Sequence, residues 1–124
     1  MTPLQQFEKQ QYLNIETFRK NGTGIKTPVW FVQDGDHLLV WTEATSGKAK
    51  RVRNNGQVKV VPSTGNGTPV GEWVPASAAA DSSDAALAHI KGLMQKKYGL
   101  AFSMFALLGK LRRSKYTCIR LQLG

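Results

Sequence analysis

From Tyr12 to Ala78 the chain is cut by turn residues into short alternating segments, a pattern that a sheet satisfies and a helical bundle does not. Leu13, Ile15 and Thr17 fall on one side, and Asn14, Glu16 and Phe18 on the other, so a first strand starts near Tyr12. Asn21-Gly22-Thr23-Gly24 turns the chain, and Ile25 to Val32 reads as a second strand. Asp34-Gly35-Asp36 makes a tight turn, because glycine accepts positive φ, and His37 to Thr42 is a third strand. These three segments predict a β-meander. Gln57 to Pro62 is a fourth strand, ended by Pro62 and the polar loop Ser63 to Thr68, and Val70 to Ala78 is a fifth.

Helical spacing governs the rest. Thr2-Pro3-Leu4-Gln5 carries the signature of a capping box with proline at the first helical position, and opens a short helix. Asp81 to Tyr98 places Leu87, Ile90, Met94 and Tyr98 on one stripe, with Gly99 at the stop. Phe102, Phe105, Leu108 and Leu111 predict another short helix, and Thr117, Ile119, Leu121 and Leu123 alternate as a closing strand. The expectation is a mainly β fold with helices: one domain over residues 1–124, a six-stranded β-barrel whose last strand closes the sheet.

Length and charge narrow the function. A chain of 124 residues suits one domain, and 41% hydrophobic residues suffice for a packed core. No apolar run reaches the roughly 20 residues that span a bilayer, and the N-terminus lacks a signal-peptide pattern. A cytoplasmic protein without a membrane partner is expected. Cys118, the single cysteine, excludes an intrachain disulfide and a cysteine-rich zinc site. The net charge is +9, and Asp84 is the last acidic residue; Lys91, Lys96, Lys97, Lys110, Arg112, Arg113, Lys115 and Arg120 follow it. Such a field attracts nucleic acid, an acidic membrane, or a phosphorylated or polycarboxylate ligand, and does not itself choose among them.

The segment Ser46-Gly47-Lys48-Ala49-Lys50-Arg51-Val52-Arg53 concentrates that charge directly after a strand. A helix starting near Ser46 would aim free N–H groups at an anion, while Gly47 would let the anion approach the backbone. Spacing alone leaves this cradle open against a solvated basic turn. Lys48 and Lys50 would point to different sides of a regular helix, so Lys48-Ala49-Lys50 is expected as loop or first turn. No hydrolytic or metal-binding set accompanies it. His37 and His89 stand apart from any nucleophile and read as surface or core residues, Cys118 as packing. Trp30 reads as a core or dimer-interface residue; Trp41 and Trp73 are open between that role and ring stacking.

Three motifs in order carry a resemblance: Gly22-Thr23-Gly24-Ile25-Lys26-Thr27-Pro28-Val29-Trp30-Phe31, then Leu38-Leu39-Val40-Trp41-Thr42, then Ser46 to Asn54. With Val58-Lys59-Val60-Val61-Pro62 and Gly71-Glu72-Trp73 behind them, they resemble the pyridoxamine 5'-phosphate oxidase-like split β-barrel superfamily. Within it, the chain resembles the branch of small enzymes dependent on the deazaflavin coenzyme F-420. The resemblance implies an FMN-binding split-barrel fold and a cytoplasmic homodimer with the cofactor at the subunit interface. It implies that Lys48 and Lys50 hold the cofactor phosphate with Arg51 as helper, and that Thr42 supplies a nearby strand-end hydroxyl beside Trp41. Lys26, Thr27, Pro28 and Val29 would border the ring system.

The implied reaction is hydride transfer from the deazaflavin to an activated unsaturated small molecule, with the proton from solvent or Lys26; the cofactor carries the chemistry. No catalytic residue and no metal site is assigned. The alternatives are an FMN-binding oxidoreductase of the same family and a non-catalytic cofactor-binding protein. Many flavin-binding members carry arginine where this chain has Gly47, which disfavours FMN. A nucleic-acid partner is set aside, because the basic residues are not interleaved with strand aromatics.

Overall fold

In the computed structural model, residues 2–124 are described. The capping box forms: Thr2 N–H donates to Gln5 Oε1 at 2.7 Å, and Gln5 N–H to Thr2 Oγ1 at 3.3 Å. Only one 3-10 turn follows, Gln5–Phe7, and it delivers Phe7 into the core. Then come β1 (Tyr12–Phe18), β2 (Gly24–Trp30), β3 (Val32–Asp34) and β4 (His37–Glu43). Helix α1 (Gly47–Asn54) precedes β5 (Gln57–Ser63) and β6 (Val74–Asp81). Helices α2 (Asp84–Tyr98) and α3 (Leu100–Leu111) lead to β7 (Tyr116–Leu123).

All seven strands join one antiparallel sheet in the order β2-β1-β5-β6-β7-β4-β3. Its outermost strands, β2 and β3, are consecutive in the chain with Phe31 alone between them. The sheet therefore curls until its edges meet, which makes a barrel split along that seam. β7 lies between β6 and β4 and joins the two halves, as expected of the last strand.

Four details differ from the sequence expectation. The predicted strand Ile25 to Val32 breaks at Phe31, giving seven strands where six were expected. Only β1 and β2 form the predicted meander, since β4 pairs with β3 and β7 and not with β2. The fifth predicted segment starts at Val74, not Val70. Before it, the Gln6 side-chain amide takes the place of a strand partner: Nε2 donates to Glu72 O at 2.9 Å and Oε1 accepts Glu72 N–H at 2.9 Å. The long helix likewise starts at Asp84, capped by Ser83, because Asp81 still pairs with Cys118 in the sheet.

Alternation along β4 builds two apolar layers. Leu38 and Val40 enter the barrel interior with Leu13, Ile15, Val60, Ile119 and Leu121. Leu39 and Trp41 face the other way, where Ile90 and Met94 of α2 and Phe102 of α3 cover the sheet. Ala49 and Val52 of α1 are buried, and Val52 packs into the interior cluster.

Candidate functional site

The site grows from the end of β4. Ser46, with extended φ −65° and ψ 157°, caps α1 by accepting the Ala49 N–H at 3.3 Å. Its Oγ lies 3.4 Å from Thr42 Oγ1, so hydroxyls tie the strand end to the helix start. The first-turn amides that follow have no helical partner and face an anion-attracting end of the helix. As expected, Lys48-Ala49-Lys50 lies in that first turn, and its two lysines diverge: Lys48 is half-buried, Lys50 exposed.

Around Lys48 opens a cavity of about 410 Å³. Pro28, Val29 and Trp30 of β2 line one wall, Trp41, Thr42 and Glu43 of β4 another. Ser46 and Lys48 stand at the α1 end, with Tyr12, Met94, Phe105 and Arg112 completing the lining. The aromatic walls are braced: Trp30 stacks on Tyr98 at 4.5 Å and 8°, and Trp41 on Tyr116 at 4.6 Å and 24°. Trp41 Nε1 is buried and has no hydrogen-bond partner among the described residues.

Charge at the α1 end is one-sided. Burial lowers the Lys48 pKa, the Arg51 guanidinium lowers it further, and Glu43 acts in the opposite sense. Arg51 reaches back to donate from Nε to Thr17 Oγ1 at 2.6 Å. Its guanidinium covers Gly47: a Cβ there would stand 2.8 Å from Nη1. Burial and then Arg19 lower the Arg51 pKa, so Arg19, Lys48 and Arg51 form a chain of mutually repelling cations. An anion placed among them relieves that repulsion.

Of the residues singled out from sequence, the fold brings Pro28, Val29, Trp41, Thr42 and Lys48 to this one cavity. Lys26, Thr27, Lys50 and Arg51 do not line it. Lys26 is exposed opposite Glu16 of β1, with Nζ 5.2 Å from the Trp73 ring centroid, and Thr27 sits half-buried opposite Ile15. Sequence reasoning missed Tyr12, Glu43 and Arg112, and read Trp30 and Met94 only as packing. Met94, Phe105 and Arg112 come from the helical layer, whose placement over the β2–β4 gap no local pattern encodes. Glu43 was the recoverable one, next to Thr42 at the strand end.

Other reactive side chains lie elsewhere. His89 Nε2 pairs with Asp34 Oδ2 at 2.9 Å on the surface. Cys118 is buried, and burial pushes its thiol up to about 11, far from a nucleophile's range. Among the described residues no group of three or more His, Cys, Asp or Glu could hold a metal.

Neither a family model nor a curated protein sequence matches the chain. Solved structures do. The heme storage protein HutZ of Vibrio cholerae superposes with a TM-score of 0.73 at 16% identity, covering 98% of this chain and 87% of that one. A protein of Listeria innocua assigned as a pyridoxamine 5'-phosphate oxidase gives 0.67 at 15%, with 97% and 89% covered. The fold is that of the pyridoxamine 5'-phosphate oxidase-like split barrels. An F420 reductase shares this split barrel too, with a TM-score of 0.62 at 13% identity over 97% of this chain and 91% of that one. Similarity at this level is a statement about the fold alone.

Proposed function

We propose that this split barrel is a coenzyme F-420-dependent oxidoreductase that passes hydride to an activated unsaturated small molecule. One observation carries the reading: a single cavity joins a flat apolar wall to the cationic first turn of α1. Pro28, Val29, Trp30 and Trp41 offer faces for a planar ring system, while Lys48, with Arg51 behind Gly47, offers charge for its phosphate. The volume is within the range of ligand sites and accommodates the ring portion of such a cofactor.

When bound, the deazaflavin supplies the hydride. The chain's part is to hold the ring against β2 and β4, to fix the phosphate at Lys48 and the Ser46-capped turn, and to leave room for the acceptor beside Tyr12 and Phe105. Lys26 stands outside the cavity, so the proton is assigned to solvent. A net charge of +9 suits the polyglutamate tail of the coenzyme, and an F420 reductase shares the fold. We further propose a cytoplasmic homodimer of these one-domain chains, with the second copy bordering the cavity, as the family resemblance implies.

A second reading, FMN, rests on Arg51. Its guanidinium fills the space over Gly47, where many flavin-binding members carry arginine, so the chain regains a cation at that place. Isothermal titration with coenzyme F-420 and with FMN separates the two. Tighter binding of F-420 by a colourless protein supports the first reading; a yellow protein that prefers FMN overturns it. Anaerobic mixing with reduced coenzyme and an activated olefin then tests turnover, and binding without oxidation of the coenzyme marks a carrier.

A further inference from the structure

Helix α3 is apolar on both sides. Phe102, Ala106 and Gly109 face the domain, and Phe102 and Gly109 are buried. On the opposite side Leu100, Met104, Leu107, Leu108 and Leu111 repeat at i, i+4, i+7, i+8 and i+11, which is one stripe of an α-helix. They are 83, 59, 50, 54 and 71% exposed. Single exposed apolar residues are ordinary; four leucines and a methionine in one stripe mark a surface that something covers.

The surrounding charge identifies the occupant. Lys96 lies near the start of the helix, and Lys110, Arg112, Arg113 and Lys115 crowd its end; all are exposed. No acidic residue follows Asp84 in the sequence, and half-buried Glu43, beside Ser114 and with Arg112 in the cavity lining, leaves the cations of this face in excess. Two copies docked through α3 would set basic ends against basic ends in either orientation, parallel or antiparallel. An apolar stripe with cations at both ends fits a surface that is apolar below and anionic at its rim.

We propose that α3 docks flat on an anionic lipid bilayer, its leucine stripe at the headgroup boundary and its flanking cations on the lipid phosphates. This goes beyond the reading of the coenzyme cavity and does not depend on it. It also departs from the expectation of no membrane partner, which rested on the lack of a spanning run. No helix among the described residues is long and apolar enough to cross a membrane, and surface docking needs none.

The test is co-sedimentation with vesicles of phosphatidylcholine mixed with phosphatidylglycerol, against phosphatidylcholine alone. The full chain should bind the mixed vesicles, release at high salt, and leave the neutral vesicles unbound. Leu107→Glu with Leu108→Glu should lose at least about tenfold in vesicle affinity while coenzyme affinity, measured without lipid, stays unchanged. Lys110→Gln and Lys115→Gln should each cost about fivefold. Absence of binding to the mixed vesicles overturns the proposal, as does equal binding by the double glutamate variant. So does size-exclusion showing that this variant turns a dimer into a monomer while vesicle binding is absent, since a second copy then covers the stripe.

Discussion

Lys97 places its ammonium 2.8 Å from the carbonyl oxygen of Phe31 and 3.7 Å from the centroid of that residue's ring. Phe31 is the one residue between the two edges of the sheet, so the end of α2 clamps the barrel at its seam. Carbonyl and ring both attract the cation, yet burial lowers the Lys97 pKa to about 8. Between that value and the ordinary 10.5 the unfolded chain holds a proton that the folded chain has shed. Stability conferred by this site therefore rises with pH across that window and is flat below it. Urea midpoints of the wild type and Lys97→Met, compared at several pH values, should diverge in favour of the wild type above about pH 8. A constant difference would show that Lys97 titrates normally in the fold.

Tyr98, the next residue, serves the same seam through its hydroxyl. The oxygen accepts the Phe31 N–H at 3.0 Å and lies within donating distance of Gln11 O, at 2.6 Å, and Phe31 O, at 2.7 Å. Tyr98→Phe keeps the ring stacked on Trp30 and strands a buried amide, at a cost of roughly 1–3 kcal/mol. The same substitution should speed hydrogen exchange at the Phe31 amide more than at amides in the middle of β1. Unchanged exchange there would mean that the seam is held by packing alone.

The two lysines of the α1 turn should separate cleanly. Lys48 lines the cavity, and Lys50, two positions on, is exposed on another side. Lys48→Gln removes a charge-assisted contact worth about 1.5–3 kcal/mol, so coenzyme F-420 affinity should fall roughly 10- to 100-fold. Lys50→Gln should change it by no more than about threefold, the scale of a solvent-screened charge. Titration calorimetry on both variants measures this, and equal losses would sink the assignment of Lys48 as the phosphate contact.

The helix cap shows what the sequence made legible. Ser46 as a start signal, the strand before it and the first-turn position of Lys48 all follow from short-range chemistry, whereas Pro28, Val29, Trp41 and Thr42, four of the twelve lining residues, are picked out by the family resemblance and lie on strands with clear alternation. The break at Phe31 was hidden, because the groups that satisfy its backbone are Lys97 and Tyr98, more than sixty residues away. Ala76-Ser77-Ala78-Ala79-Ala80 was misjudged at its edges for a related reason. Alanine has little intrinsic strand preference, and this run is extended only because β5 and β7 flank it. The resemblance implies Lys50 and Arg51 as phosphate contacts but does not encode side-chain direction; in the fold Lys50 is exposed and Arg51 lies over Gly47.

Two glycines of the helical layer should respond oppositely to alanine. Gly92 lies inside α2, exposed, and a Cβ there meets nothing within 4 Å. Gly92→Ala should therefore stabilise by about 0.5–1 kcal/mol through helix propensity. Gly109 is buried near the end of α3 against Tyr116; a Cβ would overlap its hydroxyl and stand 2.7 Å from ring carbon Cζ. That ring cannot swing freely, because it is stacked on Trp41. Gly109→Ala should cost about 1–3 kcal/mol by overpacking, despite alanine's better propensity. In a Tyr116→Leu background, which removes the colliding ring end, the cost should shrink, giving a coupling of about 1 kcal/mol or more in a double-mutant cycle read by urea midpoints. If Gly109→Ala costs the same in both backgrounds, the Tyr116 ring is not what holds position 109 to glycine.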